Sequence, residues 1–202
     1  MVSAAGVLLA AGRATRFRPP GAKLRAPLEG RPLAAWALSA LASAQVLEAR
    51  AVVVGADRLE GLVPAGIEVL VNSAPERGLA SSLAIALDWA RGLGVDALVV
   101  GLADQPLVVA SAWDAVACAP VAWDLAIATY AGARANPVRI ARRVFDELPR
   151  VGDAGARVLV GRAGISVIEV PCEGDPLDVD TVQDLAEATS RMARSESRVE
   201  GG

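Results

Sequence analysis

Short apolar runs alternate along the chain with longer stretches in which apolar positions return every three or four residues. The runs at 6–10, 51–55, 67–71, 97–102, 125–129 and 166–170 have the length and composition of buried strands. The intervening stretches predict helices over 32–44, 79–91, 111–117, 142–148, 154–162 and 181–194. Pro32 suits the first turn of its helix, and Gly92 and Gly94 mark a stop after Arg91. Asp57 is placed to cap a further short helix. Strands that are apolar on nearly every residue, each followed by a helix, point to an α/β fold with a mostly parallel sheet covered on both faces. The segment 134–140 carries Pro137 and reads as an irregular edge strand. No internal repeat or long linker divides the chain, so 1–194 is expected to form one domain. The polar, glycine-ended residues 195–202 are expected to be a disordered tail.

Composition narrows the chemistry. The hydrophobic fraction of 53% leans on alanine and only 3% is aromatic, which predicts an aliphatic core of helix packed on sheet. A net charge of −3 gives no footprint for nucleic acid, and the basic residues between Arg13 and Lys23 are a local exception. The absence of histidine excludes His-dependent triads, His metal sites and imidazole acid–base catalysis. Cys118 and Cys172 have no metal-type spacing and read as buried or semi-buried reduced thiols. No apolar run approaches the ~20 residues of a membrane span, and the start lacks the basic region of a signal peptide. The expectation is a soluble cytoplasmic protein that contacts neither membrane nor nucleic acid.

Candidate chemistry begins at the first strand. Gly6-Val7-Leu8-Leu9-Ala10-Ala11-Gly12 runs an apolar strand into a turn of small residues, followed by Arg13, Arg16 and Lys23. Small residues let a nucleotide lie against the main chain, whose N–H groups take phosphate oxygens, and the basic residues supply the charge a triphosphate needs. The spacing is neither a P-loop nor a Gly-x-Gly-x-x-Gly turn. Taken alone, it also fits a plain turn between a buried strand and a basic loop.

Ligands of open parallel sheets bind beyond the carboxyl ends of the strands. Asp104 follows the strand 97–102, where its carboxylate either holds a hard cation such as Mg²⁺ or caps the next helix. Asp178 and Asp180 lie two apart and point the same way if extended, while Asp180 is equally an N-cap for the last helix. Gly78 and Ser82 open a helix whose first N–H groups attract anionic or carbonyl groups, although Ser81 or Ser82 also reads as a simple cap. Arg157 sits at a glycine-flanked helix start, within reach of an acceptor phosphate or else solvated.

Set together, these residues resemble the nucleotidyltransferases of the MobA-like NTP transferase family, in particular the molybdenum cofactor cytidylyltransferase (MocA-like) branch. The resemblance runs from Leu8 to Leu185. It is carried by Leu9-Ala10-Ala11-Gly12 with Arg16-Phe17 and Lys23, by Gly78 with Ser82-Leu83, by Ala103-Asp104-Gln105-Pro106, by Gly152-Asp153-Ala154-Gly155-Ala156-Arg157 and by Asp178-Val179-Asp180-Thr181.

It implies a Rossmann-like three-layer sandwich that binds a nucleoside triphosphate with Mg²⁺. Leu9, Ala10, Ala11 and Gly12 would hold the nucleotide through their backbone, and Lys23 and Arg16 would steady the triphosphate. Gly78 and Ser82 would lie near base or ribose, with Asp104 the principal metal ligand and Asp180 the second.

The reaction it implies is transfer of a nucleoside monophosphate, CMP from CTP rather than GMP from GTP, to a phosphorylated acceptor such as molybdopterin, releasing pyrophosphate. A molybdenum hydroxylase is then a possible protein partner. The departures are a longer loop from Phe17 to Ala22, Ala103 where glycine is common, and Arg134-Ala135-Asn136-Pro137 on the acceptor side.

Three other readings compete. One is transfer to a sugar phosphate or other small phosphate. A second is an NAD(P)-dependent oxidoreductase, against which stand the missing Gly-x-Gly-x-x-Gly and the absence of a Tyr-x-x-x-Lys pair at Tyr130. The third is a molybdenum cofactor carrier, to which two metal-binding carboxylates would be of little use.

Overall fold

The computed structural model describes residues 3–12, 17 and 23–199, with side chains described through Arg194. Strand β1 (Ala4–Ala10) leads through a short 3-10 turn (Lys23–Arg25) to a small hairpin of β2 (Pro27–Leu28) and β3 (Arg31–Pro32). Helix α1 (Leu33–Ser43), β4 (Ala49–Val54), β5 (Glu68–Val71), α2 (Leu79–Leu93) and β6 (Ala97–Leu102) follow. Then come α3 (Ala110–Ala117), β7 (Leu125–Tyr130), β8 (Ala133–Ala141), β9 (Val167–Pro171) and α4 (Val182–Val199).

Among the described residues one sheet has the order β5-β4-β1-β6-β8-β7-β9. β5, β4, β1 and β6 pair in parallel, as do β7 and β9, while β8 runs antiparallel to both its neighbours. The expected α/β sandwich with a mostly parallel sheet is present.

The near-continuous apolarity of the strands follows from burial on both faces. In β1, Ala4, Leu8 and Ala10 join one core with Leu38 and Leu41 of α1 and Trp113 of α3. Ala5, Val7 and Leu9 join the opposite core with Leu83 and Leu87 of α2. A third, smaller cluster brings Leu28 and Leu33 together with Val179 and Ala188, fastening α4 over the hairpin. α2 ends as predicted, with Gly94 in the left-handed region and its N–H on the Arg91 carbonyl.

Several expectations are corrected. Segment 134–140 lies inside the sheet as part of β8, between β6 and β7. Proline is tolerated there because pairing with β6 extends only to Val138, and the β7 register jumps from Val138 to Ala135 between Ile127 and Ala128. Pro137 therefore falls in the bulge, where a missing N–H opens no gap in the ladder. Arg139, fully buried in the same strand, donates to the carbonyls of Ala119, Pro120 and Trp123.

The helices expected over 142–148 and 154–162 are 3-10 segments, Arg142–Glu147 and Ala156–Leu159. Each buries too short an apolar stripe to offset helix nucleation. Asp57 caps no helix; its carboxylate accepts the Leu59 N–H in a turn and pairs with Arg25. Cys118 is exposed and Cys172 half-buried, so the first is no buried thiol. The backbone of α4 runs to Val199. No helix among the described residues is long and apolar enough to cross a membrane.

Gly101 in β6 lies tight against the Trp113 ring of α3: a Cβ there would lie 2.5 Å from Trp113 Cζ2. Gly101→Ala should therefore overpack this core by about 1–3 kcal/mol. In urea melts the midpoint should fall with the slope unchanged.

Candidate active site

The parallel strands β1, β4, β5 and β6 end at one edge of the sheet, and the residues that follow them meet there. The turn after β6 is tied to β1 by the Ala103 N–H on the Leu9 carbonyl, 3.1 Å away. It delivers Asp104 opposite Lys23, which enters on the 3-10 turn Lys23–Arg25. Lys23 Nζ donates to Asp104 Oδ2 at 2.6 Å and to Asp180 Oδ1 at 2.8 Å. The Lys23 side chain is only 7% exposed, so the screening that weakens surface pairs is largely missing. Burial is the largest influence on its ammonium and pulls the pKa down, but the charges and hydrogen bonds of Asp104 and Asp180 outweigh it. The net direction is upward, and Lys23 stays a cation.

Asp180 is delivered by a segment stitched to β6. The Val179 N–H bonds the Asp104 carbonyl at 3.0 Å, and Gln105 Nε2 donates to the Pro176 carbonyl at 3.2 Å. Asp180 does not cap α4. The capping residue is Thr181, whose Oγ1 accepts the Asp184 N–H, while Asp184 Oδ2 accepts the N–H groups of Thr181 and Asp180. That reciprocal cap leaves the Asp180 carboxylate for Lys23. Asp104 is no cap either: Val109 occupies the N-cap position of α3, without a side-chain bond.

The remaining Asp104 oxygen, Oδ1, is buried without a hydrogen-bond partner. An unpartnered buried oxygen, on a carboxylate that shares an ammonium with a second carboxylate, is a donor of the type a hard cation takes. No group of three or more His, Cys, Asp or Glu side chains suited to a metal occurs among the described residues. The described site thus brings two carboxylates together on one ammonium.

A cleft of about 410 Å³ opens beside these groups, lined by residues 9–12, Lys23, Gly78, Ser82 and Asp104. Every described residue expected to hold the nucleotide lies on this one cleft; Arg16 lies outside the described residues. Gly78 turns the chain into α2 at φ 89°, a conformation that favours glycine, and a Cβ there would strike the Gly152 carbonyl. The Ala80 N–H bonds that carbonyl at 2.9 Å and the Gly152 N–H bonds the Arg77 carbonyl at 2.8 Å. The start of α2 is thereby pinned to the 152–157 segment. Neither Ser81 nor Ser82 caps α2, whose N-cap is Gly78.

A second cavity of about 810 Å³ adjoins the first, sharing Leu9, Leu79, Leu102 and Asp153 with it. Its walls are aliphatic, including Val100, Ile127 and Val138, with Arg134, Asn136, Arg157 and Asp178 as polar points. Arg134 is paired with Glu169 at 2.7 Å, whereas Arg157 has no ion-pair partner among the described residues. Asp178 opens into this cavity while Asp180 reaches Lys23. Surrounding protein, and then the Asp104 charge, push the Asp178 carboxyl up to about 6. Nearby, the Tyr130 hydroxyl donates to the Asn136 carbonyl at 2.9 Å, and burial pushes its pKa upward.

Sequence reasoning missed Asn72, Gln105 as a fastener, and Asp153 between the cavities. Asn72 had a signal, since it directly follows β5 as Asp104 follows β6. Gln105 and Asp153 act through contacts that no local pattern displays.

The profile of the MobA-like NTP transferase domain matches residues 6–167. The chain belongs to that family. Among solved structures, this MobA-like domain is similar to the Rv0371c homologue from Mycobacterium sp. strain JC1, with 30% identity and a TM-score of 0.81 over 95% of this chain and 97% of that one. It is also similar to Rv0371c of Mycobacterium tuberculosis in complex with manganese, at 26% identity and a TM-score of 0.78 over 93% and 98% of the two chains. A nucleotidyl transferase from Methanothermobacter thermautotroptrophicus shares the fold at 21% identity, with a TM-score of 0.79 over 96% and 99%. No curated protein sequence matches the chain.

The titration of Asp178 gives this MobA-like domain a pH signature. Its carboxyl is raised in the fold, so between 3.8 and about 6 the native state holds a proton that the unfolded chain has released. Stability should then fall as pH rises through that window. The carboxylates of Asp57 beside Arg25 and Asp88 beside Arg150 are lowered, and their contributions are lost only at more acid pH. Asp178→Asn should flatten the decline, which chemical denaturation of both proteins across this range will measure.

Proposed function

We propose that this nucleotidyltransferase moves a nucleoside monophosphate from a triphosphate, CTP by preference, onto a phosphorylated acceptor of the molybdopterin type, and that it uses a divalent cation, Mg²⁺. The observation that carries the reading is the pair of carboxylates, Asp104 and Asp180, held on one buried ammonium beside a cleft lined by the small-residue loop 9–12. The preference for CTP and the identity of the acceptor rest on the cytidylyltransferase-like segment 152–157. The adjoining cavity, where Arg157 carries its charge, has room for an acceptor.

An oxygen of the acceptor phosphate attacks the α-phosphorus, the bond from that phosphorus to the bridging oxygen breaks, and pyrophosphate leaves with the electron pair. The nucleophile is already an anion, so no general base is needed, in keeping with a chain that has no histidine. A cation bound by Asp104 and Asp180 would offset the charge that builds on the leaving pyrophosphate. The 9–12 backbone and Gly78 hold the donor, and Lys23 neutralises phosphate oxygens once a cation takes up its two carboxylates. Arg157 orients the acceptor phosphate, so alignment and fixed charge supply most of the acceleration. The alternative oxidoreductase chemistry has no support at Tyr130, whose hydroxyl is committed to a backbone carbonyl.

A melting panel of CTP, GTP, ATP, UTP, NADH and NADPH, each with and without Mg²⁺, tests the reading. A triphosphate at ~100 times its Kd should add about 2.7 kcal/mol of stability. That shift should require Mg²⁺ and vanish in Asp104→Asn. The same variant should release pyrophosphate on the order of a hundred- to a thousandfold more slowly in the presence of acceptor. A shift with NADH or NADPH alone would overturn the proposal.

A further inference from the structure

Asn72 is 3% exposed, directly follows β5, and takes no part in the chemistry assigned so far. Its N–H extends the strand ladder by bonding the Val54 carbonyl at 2.8 Å. The orientation of its side-chain amide is dictated by the neighbouring backbone. The Ala74 N–H, 2.9 Å from Oδ1, can only donate, so the atom it faces is the oxygen and the NH₂ group lies opposite. Both NH₂ protons are then committed, one to Ser81 Oγ and one to Ser82 Oγ, each at 2.9 Å.

The two serines differ in what they do next. Ser81 passes its own proton to the Gly78 carbonyl at 2.7 Å. Ser82 donates to no atom of the described residues, is 4% exposed, and lines the 410 Å³ cleft. A serine hydroxyl carries one proton, and with Asn72 donating to one lone pair that proton points away from the amide and is available to an acceptor in the cleft. Lys23 lines the same cleft and would meet phosphate once a cation takes up Asp104 and Asp180. A neutral O–H donor can serve a base carbonyl, a ring nitrogen or a ribose oxygen as well as a phosphate oxygen, and binding of tripolyphosphate separates the two.

We propose that Asn72 is a positioning residue that fixes the Ser82 hydroxyl as a hydrogen-bond donor to an acceptor atom on the nucleoside part of the bound triphosphate. This rests on the nucleotidyltransferase reading but concerns the nucleoside alone. Asn72→Asp tests it with almost no change of volume. At mildly alkaline pH a carboxylate at this position only accepts, so Ser82 would turn its proton inward and offer the cleft none.

Binding of the preferred nucleoside triphosphate and of inorganic tripolyphosphate, both with Mg²⁺, would be measured calorimetrically for the wild type, N72D, Ser82→Ala and the double variant. N72D and S82A should each weaken the nucleotide roughly tenfold, the worth of one well-placed hydrogen bond. Tripolyphosphate, which has no nucleoside, should bind all four proteins equally. The double variant should bind the nucleotide no worse than S82A, because Asn72 acts through Ser82.

Equal loss of tripolyphosphate affinity would make Asn72 a purely structural residue and overturn the proposal. So would additive losses in the double variant, or unchanged nucleotide binding in N72D. If N72D fails to fold, Asn72→Ala removes the donor without adding charge and should show the same nucleoside-specific loss. A wild-type protein that binds tripolyphosphate but no nucleoside triphosphate would overturn both this proposal and the reading beneath it.

Discussion

A single ammonium ties together three distant stretches of this chain. Lys23 comes from the loop after the first strand, Asp104 from the end of β6 and Asp180 from the approach to α4. Two carboxylates this close, in a setting that excludes much of the solvent, repel each other unless a cation lies between them. Lys23 supplies that cation within the fold. The same electrostatic demand that orders Lys23 is the basis on which the pair is proposed to take a metal, so one arrangement would serve structural closure and cation binding alike.

The supports of this triad are mostly backbone bonds. Asp104 is held through its own carbonyl by Val179 and through the neighbouring N–H of Ala103 by β1, while the cap of α4 is made by Thr181 and Asp184 rather than by Asp180. Position is thereby set by peptide groups that cannot drift among rotamers, and the charged side chains need only reach across short gaps. The same economy holds on the opposite wall, where the Gly78 turn and the Gly152 loop are joined carbonyl to N–H. The small cleft and the large aliphatic cavity share a boundary through Leu9, Leu79, Leu102 and Asp153, which places any two ligands side by side.

Much of this was legible beforehand because its physical causes are local. All-apolar strands between helical stretches require a sheet covered on both faces, and the cores on either side of β1 are the direct result. A carboxylate just after a buried strand must lie at the sheet's ligand-binding edge, which located Asp104. Segment 134–140 reads as an edge because proline usually avoids inner strands, and a buried arginine is equally unusual in one. A bulge and three carbonyls from a neighbouring loop made both acceptable, and neither is visible in the segment itself. The weak stripes over 142–148 and 154–162 had the right spacing, but only their packing decided how many turns would form.

By itself, then, the sequence determined the class of fold, the edge of the sheet where the candidate site lies, and the residue types available there: small turns, lysine and carboxylates without histidine. These follow from hydrophobic periodicity and side-chain chemistry, which act over a few residues. Tertiary structure alone decided that Lys23 bridges Asp104 and Asp180, that Asp178 lines the larger cavity while Asp180 reaches Lys23, and that a buried Asn72 lies against the Ser82 hydroxyl. Each of these depends on which strand ends become neighbours and which caps release a side chain. That is a property of long-range pairing, and it leaves no periodic trace along the chain.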